Sequence, residues 1–145
     1  FYIGGTKCGA LFGEAVVILK ESLKKDFRYM IKQRGGMFAK GRLLGIQFDT
    51  LFTDGLYEAI CGEAVKKAMT LREAFLAKGI SMYGSSMTNQ QFPILTDAQK
   101  EALAKEFAFE YWGEAKEGKS IVRFCTSWAT NDAQIKALTD AIAAL

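Results

Sequence analysis

The sequence predicts an α/β fold whose last part is a small α+β layer with antiparallel strands. Three observations predict it: two short apolar runs near the start, a long helical pattern in the middle, and strand and helix patterns that alternate afterwards. Half of the 145 residues are hydrophobic, so the chain is long and apolar enough to bury a core.

The first part of the chain predicts the end of a sheet followed by a helix. Residues 1–3 and 15–19 are apolar throughout, a pattern typical of strands buried on both faces. A helix is predicted from about residue 20 to residue 33, because two consecutive glycines follow it closely. Basic side chains in that helix recur every four residues and would share one solvated face: Lys24, Arg28 and Lys32.

The middle of the chain predicts a long helix that links a larger domain to a smaller one. From Met37 onward, apolar residues recur at helical spacing, and the pattern continues to Ala77. Gly55 and Gly62 are weak points within it. Gly79 follows the last apolar residues, as is common where a helix ends.

The last part predicts two helices and a β-hairpin. Thr96 with Gln99, and Asn131 with Gln134, form capping-box patterns that begin helices. The aromatic run at residues 107–112 alternates at strand spacing, and residues 121–126 follow as a second strand after a polar turn. The two runs are expected to pair as a hairpin. The aromatic side chains are predicted to lie in the core, and residues 80–83 are predicted to form another short strand.

Composition argues against several classes of function. A net charge of +3 is too small to indicate nucleic-acid binding. The chain has no histidine, and its three cysteines lack the spacing of metal ligands and do not indicate a disulfide framework. No apolar run approaches the roughly twenty residues of a membrane span, and no signal peptide is visible. We therefore expect a cytoplasmic protein that binds neither membranes nor nucleic acid.

A single lysine lies in an uncharged, glycine-rich segment at the start of the chain. Glycine lets another group approach the backbone closely, and a lysine held away from water becomes available as a nucleophile. These properties suit a lysine that forms a Schiff base, whereas an ordinary lysine in a turn is the alternative. The glycine spacing does not match a P-loop. The lysine and its neighbours are Lys7, flanked by Gly4, Gly5, Thr6, Cys8 and Gly9.

The segment FYIGGTKCGALFGEAVVIL, residues 1–19, resembles the cofactor-lysine region of the pyridoxal-phosphate-dependent threonine aldolase and β-eliminating lyase family, which has the fold of aspartate aminotransferase (fold type I). The resemblance continues through KQRGGMFAKGRLLG, residues 32–45, to SIVRFCTSW, residues 120–128. It implies that this chain is a C-terminal portion of a longer enzyme. Residues 1–58 would then be the end of the large cofactor-binding domain, and residues 59–145 the small domain.

The resemblance also implies cofactor-binding roles. Lys7 would carry pyridoxal 5′-phosphate as a Schiff base, with Gly5 and Thr6 beside it. Lys32 matches a lysine that contributes to the cofactor phosphate site across a subunit interface. The family commonly has an arginine soon afterwards, but residues 38–40 depart from its pattern. The candidates to replace that arginine are Arg34, Lys40 and Arg42.

Arg123 is the candidate for binding a carboxylate. It lies in an apolar strand pattern, where a guanidinium is costly unless it is paired. Its planar fork matches a carboxylate with two parallel hydrogen bonds. From the residues alone, a salt bridge to an Asp or Glu of the same chain is as good an interpretation, whereas the resemblance implies the carboxylate of the substrate.

The resemblance implies a lyase that cleaves a β-hydroxy-α-amino acid such as threonine to glycine and an aldehyde. A β-eliminating lyase or an aminotransferase would use Lys7 and Arg123 equally well, and a non-catalytic assembly module is a further alternative. The resemblance also implies a homo-oligomer, and it implies the missing N-terminal portion of the same enzyme as a partner. We expect this chain alone to be inactive.

Overall fold

The computed structural model describes residues 1–145, which divide into two compact units, Phe1–Ala59 and Ile60–Leu145. The division falls inside the third α-helix. Each unit contains helices and antiparallel strands, the combination that the sequence predicts. No helix combines the length and the apolar composition that crossing a membrane would require.

The two strands of the first unit form a small antiparallel sheet. Strand β1 (Tyr2–Gly4) pairs with β2 (Glu14–Val16), and Ile3 lies opposite Ala15. The prediction that both strands are buried is wrong for this chain, because most of their side chains are exposed. The reason is that the sheet has only these two strands, so neither has a further strand of this chain beside it.

The helix predicted from about residue 20 to residue 33 is shorter than expected. A 3₁₀ turn at Glu21–Leu23 precedes helix α1 (Phe27–Gln33). Asp26 lies between them with a φ of 57°, a left-handed conformation that interrupts a right-handed helix. Lys24 therefore lies outside α1, and Arg28 and Lys32 alone keep the predicted spacing of one turn.

The long helix predicted in the middle of the chain is two helices. Helix α2 (Arg42–Leu51) ends at a turn, and α3 (Leu56–Ala77) begins after it. Asp54 and Gly55 have φ angles of 52° and 70°, which no continuous right-handed helix accommodates. Helix α3 nevertheless extends over 22 residues and includes Gly62, the second predicted weak point.

The second unit is built around one central strand. Strand β6 (Ser120–Cys125) pairs antiparallel with β3 (Gln90–Gln91) and β4 (Ile94–Leu95) along one edge. Strand β5 (Glu110–Glu114) also pairs with β6, as the predicted hairpin requires. Residues 80–83 contribute a single bridge to Pro93 rather than a strand.

The aromatic side chains of residues 107–112 differ in burial. Phe107 and Phe109 precede the strand and pack against the core, as predicted. Tyr111 and Trp112 are exposed, so the core prediction is wrong for both of them. The pairing of β5 with β6 shifts register between Tyr111 and Gly113, and Trp112 lies at this shift.

Helices α4 (Asp97–Ala104) and α5 (Asp132–Ala144) pack against this sheet, and both predicted capping boxes are present. In each box, the cap side chain accepts a hydrogen bond from the backbone N–H three residues on, and the Gln side chain accepts one in return. The core of the unit is apolar and comes from α3, the sheet, α4 and α5. Its buried members are Leu71, Phe75, Ile80, Leu95, Leu103, Val122, Phe124, Ile135, Leu138 and Ile142.

Candidate functional site

Lys7 lies in a single 3₁₀ turn, Thr6–Cys8, between β1 and β2. The Cys8 N–H donates to the carbonyl of Gly5 at 2.9 Å, and Gly9 ends the turn with a φ of 99°, which favours glycine. Because Cys8 is buried, the turn is anchored inward, whereas the side chains of Thr6 and Lys7 are exposed. The expectation that Lys7 is held away from water is therefore wrong for this chain, and its accessible amine has the hydroxyl of Thr6 next to it in sequence.

Gly5 has a packing role in this turn. A Cβ at this position would lie 2.6 Å from the Cβ of Ala10 and 2.9 Å from the ring of Phe48, which is on α2. Real Cβ atoms essentially never come so close to another atom. Packing of the turn against α2 therefore explains the glycine without a cofactor, and its proposed cofactor contact stays a prediction.

The loop that follows Lys7 is held by a residue that sequence reasoning missed. Gln47 on α2 accepts a hydrogen bond from the Leu11 N–H at 2.6 Å. Its amide nitrogen donates to the carbonyls of Phe12 at 3.3 Å and Leu43 at 3.0 Å. In the sequence, Gln47 is a polar residue between apolar residues of α2. Such a residue is ordinary on the surface of a helix, so the sequence did not indicate which groups it binds.

Lys32 and Arg34 lie at the C-terminal end of α1, in the same unit as Lys7. Both side chains are exposed, and neither takes part in a salt bridge within this chain. Their side chains and that of Lys7 are all cationic and can only donate hydrogen bonds, so none of the three pairs with another. Their charges are therefore accessible to an anion, and their roles toward a cofactor phosphate stay predictions.

Arg123 lies on β6 in the second unit, and its guanidinium contacts three other side chains. Its Nη2 forms an ion pair with the carboxylate of Glu110, which is its direct cross-strand partner on β5. Its Nη1 donates to Gln90 Oε1 at 3.2 Å. Its Cζ lies 5.1 Å from the ring centroid of Trp112, within the range of a cation–π contact. The salt bridge expected from the residues alone is thus present.

The strand alternation explains why this guanidinium is accessible. Val122 and Phe124 point into the core, and Arg123 lies on the opposite face, where its side chain is 26% exposed. An arginine has five N–H donors, and the contacts with Gln90 and Glu110 leave several of them for another acceptor. Arg123 is therefore fixed in position yet able to bind a further carboxylate.

The three side chains around Arg123 were not predicted from the sequence. The predicted hairpin did contain a signal, because an acidic and a basic residue in paired strands can lie opposite each other. The register decides which pair meets, and the shift near Gly113 could not be placed from the sequence. The three missed side chains are Gln90, Glu110 and Trp112.

Comparisons with known sequences find two relatives that bear the same name. No family model matches the chain. The chain is 28% identical over 143 residues to a low specificity L-threonine aldolase of Pseudomonas sp. (strain NCIMB 10558), covering 98% of this chain and 40% of that protein. It is 29% identical over 136 residues to the low specificity L-threonine aldolase of Pseudomonas aeruginosa, covering 93% of this chain and 38% of that protein.

Two solved structures also match the chain, one of them a threonine aldolase. A threonine aldolase of Leishmania major superposes with a TM-score of 0.93 and 40% identity, covering 99% of this chain and 42% of that one. An 8-amino-7-oxononanoate synthase of Francisella tularensis superposes with a TM-score of 0.57 and 14% identity, covering 86% and 39%, which supports the fold alone. The predicted fold, the C-terminal part of the α/β fold of aspartate aminotransferase (fold type I), is thereby confirmed. The chain spans about two fifths of the length of these relatives.

Proposed function

We propose that this chain, which is related in sequence and structure to threonine aldolases, is part of a pyridoxal-phosphate-dependent lyase. The enzyme would cleave the Cα–Cβ bond of a β-hydroxy-α-amino acid such as threonine, giving glycine and an aldehyde. The observation that carries the proposal is the match to the L. major threonine aldolase, at 40% identity over 99% of this chain. Because the chain spans about two fifths of its relatives' length, another portion of the enzyme would complete the site.

The side chains of the first unit suit the proposed cofactor. The accessible amine of Lys7 would hold the cofactor's aldehyde carbon, and the hydroxyl of Thr6 and the backbone at Gly5 would lie beside it. Lys32 and Arg34 supply accessible positive charge for a phosphate group. When it is bound, pyridoxal phosphate supplies an electron sink for the bond that breaks.

Arg123 would bind the carboxylate of the amino acid. A carboxylate held by two parallel hydrogen bonds is fixed in orientation as well as in position. Orientation of a bound substrate lowers the barrier to reaction, because rotational freedom has been lost before the chemical step. Within this proposal, Lys7 binds the cofactor and Arg123 binds the substrate.

The surface of the first unit supports the proposal that the chain has partners. Large exposed apolar side chains are concentrated there, and such surfaces commonly mark interfaces. We assign this surface to the remaining portion of the enzyme and to a second subunit of a homo-oligomer. The exposed apolar side chains include Phe1, Tyr2, Leu11, Val16, Leu19, Tyr29, Phe38, Leu43 and Ile46.

The free thiols of Cys8 and Cys125 suit a reducing cytoplasm.

Borohydride reduction of the complete enzyme loaded with pyridoxal phosphate tests the role of Lys7. Reduction fixes the cofactor covalently on the lysine that holds it, and peptide mapping then identifies that lysine. We expect the label on Lys7 and its loss in Lys7→Arg, whereas the control Lys20→Arg keeps it. A label on another residue would refute the assignment.

Product analysis of the complete enzyme tests the reaction. We expect threonine or phenylserine to release glycine and an aldehyde. Release of pyruvate from serine or cysteine would indicate a β-eliminating lyase instead, and transfer of the amino group to a keto acid would indicate an aminotransferase. Absence of cofactor binding by the complete protein would favour a non-catalytic assembly module.

A further inference from the structure

We propose that Glu110 is an internal competitor for the carboxylate of the substrate at Arg123. Its own carboxylate occupies the guanidinium, so that a carboxylate ligand binds more weakly than it would to Arg123 alone. This inference rests on the proposed function, in which Arg123 binds the carboxylate of an amino acid. It adds a residue that limits affinity at that position.

The two side chains of the ion pair differ in their exposure to solvent. Glu110 lies opposite Arg123 in the register of β5 and β6, so the strand pairing itself brings the carboxylate to Nη2. The side chain of Arg123 is 26% exposed, whereas that of Glu110 is 67% exposed. Glu110 can therefore rotate into solvent, whereas Arg123 keeps its contacts with Gln90 and Trp112.

Other contacts hold the guanidinium in place when Glu110 leaves. Gln90 Oε1 accepts a hydrogen bond from Nη1 at 3.2 Å, and Trp112 lies against the guanidinium at 5.1 Å. The ring of Trp112 in turn packs against Phe92, with centroids 5.2 Å apart. The guanidinium is thus supported from two other sides. Departure of Glu110 leaves an oriented cation with free N–H donors.

Electrostatics predicts that Glu110 lowers the affinity for a carboxylate ligand in either of two binding modes. If the ligand displaces Glu110, the free energy of the ion pair is lost and must be offset by the new contact. If both carboxylates stay, their negative charges repel each other across one guanidinium. In both cases the charge of Glu110 opposes the ligand. Neutralising Glu110 therefore strengthens the binding of any carboxylate at Arg123.

The size of the effect follows from the exposure of the pair. Exposed ion pairs contribute little because water screens them, and their coupling corresponds to about a two- to five-fold change in affinity. Such a handicap lowers by about the same factor the affinity of every ligand that binds through its carboxylate. A substrate that is also held through its amino group keeps enough affinity to displace Glu110.

Calorimetric titration of the complete, cofactor-loaded enzyme with glycine and with acetate tests the inference. We expect Glu110→Gln and Glu110→Ala to tighten the dissociation constants of both ligands about two- to five-fold. The matched control is Glu114→Gln, which removes the same charge from the same strand at a residue that pairs with Ser120 instead. The control is expected to leave both dissociation constants unchanged. Unchanged or weaker binding in the Glu110 variants would overturn the inference.

A second variant separates this inference from the proposed function. Arg123→Lys loses the planar fork and is expected to weaken glycine binding. If Arg123→Lys weakens binding but the Glu110 variants do not strengthen it, only the role of Glu110 fails. If Arg123→Lys leaves glycine binding unchanged, the carboxylate binds elsewhere. The proposed role of Arg123 and the role of Glu110 then both fail.

Discussion

Gln47 and Leu11 connect helix α2 to the loop that follows Lys7. The Leu11 N–H donates to Gln47 Oε1 at 2.6 Å, across a separation of 36 residues in the chain. The same amide group donates to Phe12 and Leu43. One side chain thereby joins the loop that follows the Lys7 turn to the helix.

Replacing Gln47 should loosen the loop beside Lys7. We expect Gln47→Ala to lower the free energy of unfolding by about 1–3 kcal/mol, because three hydrogen bonds are lost. Gln47→Glu keeps the acceptor for Leu11 but cannot donate, and it should have a smaller effect. Urea denaturation of the complete enzyme measures both, with the exposed Gln33→Ala as control. Equal stability of Gln47→Ala and Gln33→Ala would contradict the role of Gln47.

Gly5 and Gly4 are neighbours with opposite tolerance for a side chain. A Cβ on Gly5 would overlap Ala10 and Phe48, whereas nothing lies within 4 Å of a Cβ on Gly4. We expect Gly5→Ala to destabilise the enzyme by about 1–3 kcal/mol, because the turn must move away from α2. Gly4→Ala should be close to neutral. Melting temperatures of the two variants provide the comparison, and a similar change in both would show that the packing is not the cause.

Two glycines in the middle of the chain should respond to alanine with opposite signs. Gly55 has a φ of 70° in the turn between α2 and α3, so Gly55→Ala should cost about 1–2 kcal/mol. Gly62 lies inside α3 with open space around it, so Gly62→Ala should stabilise by about 0.5–1 kcal/mol. Chemical denaturation measures both differences. Stabilisation by Gly55→Ala would mean that α2 and α3 can join into one helix.

Trp112 should support binding through Arg123 without touching the ligand. Trp112→Leu removes the ring that lies 5.1 Å from the guanidinium, and the arginine becomes less ordered. We expect the dissociation constant for glycine to rise about two- to five-fold, since an exposed cation–π contact is modest. Trp128→Leu, at another exposed tryptophan, serves as control. If both variants weaken binding equally, the effect does not come from the contact with Arg123.

Much of the secondary structure could be predicted because it depends on neighbouring residues. Both capping boxes join residues three apart, and their hydrogen bonds form as soon as the first helical turn does. The hairpin of β5 and β6 follows similarly from alternation on either side of a short turn. The break before Leu56 was less predictable, because it requires the non-glycine residue Asp54 to adopt a positive φ.

Burial of the first two strands could not be predicted correctly from composition. Apolar residues on both faces predict a buried strand only when other elements are present to cover them. In this chain β1 and β2 pair only with each other, so Tyr2 and Val16 are exposed. The apolar pattern thus describes the environment for which the strands are suited. The structure of the chain alone does not provide it.

The sequence by itself determined the starts of α4 and α5, the hairpin and the glycine-rich position of Lys7, because each depends on backbone preferences within a few residues. Only the tertiary structure decided the surroundings of Arg123. Glu110 and Gln90 lie 13 and 33 residues away from it along the chain. They meet it because the register of three strands places them together. Register depends on packing and on an irregularity in β5, and these are properties of the folded chain rather than of any short segment.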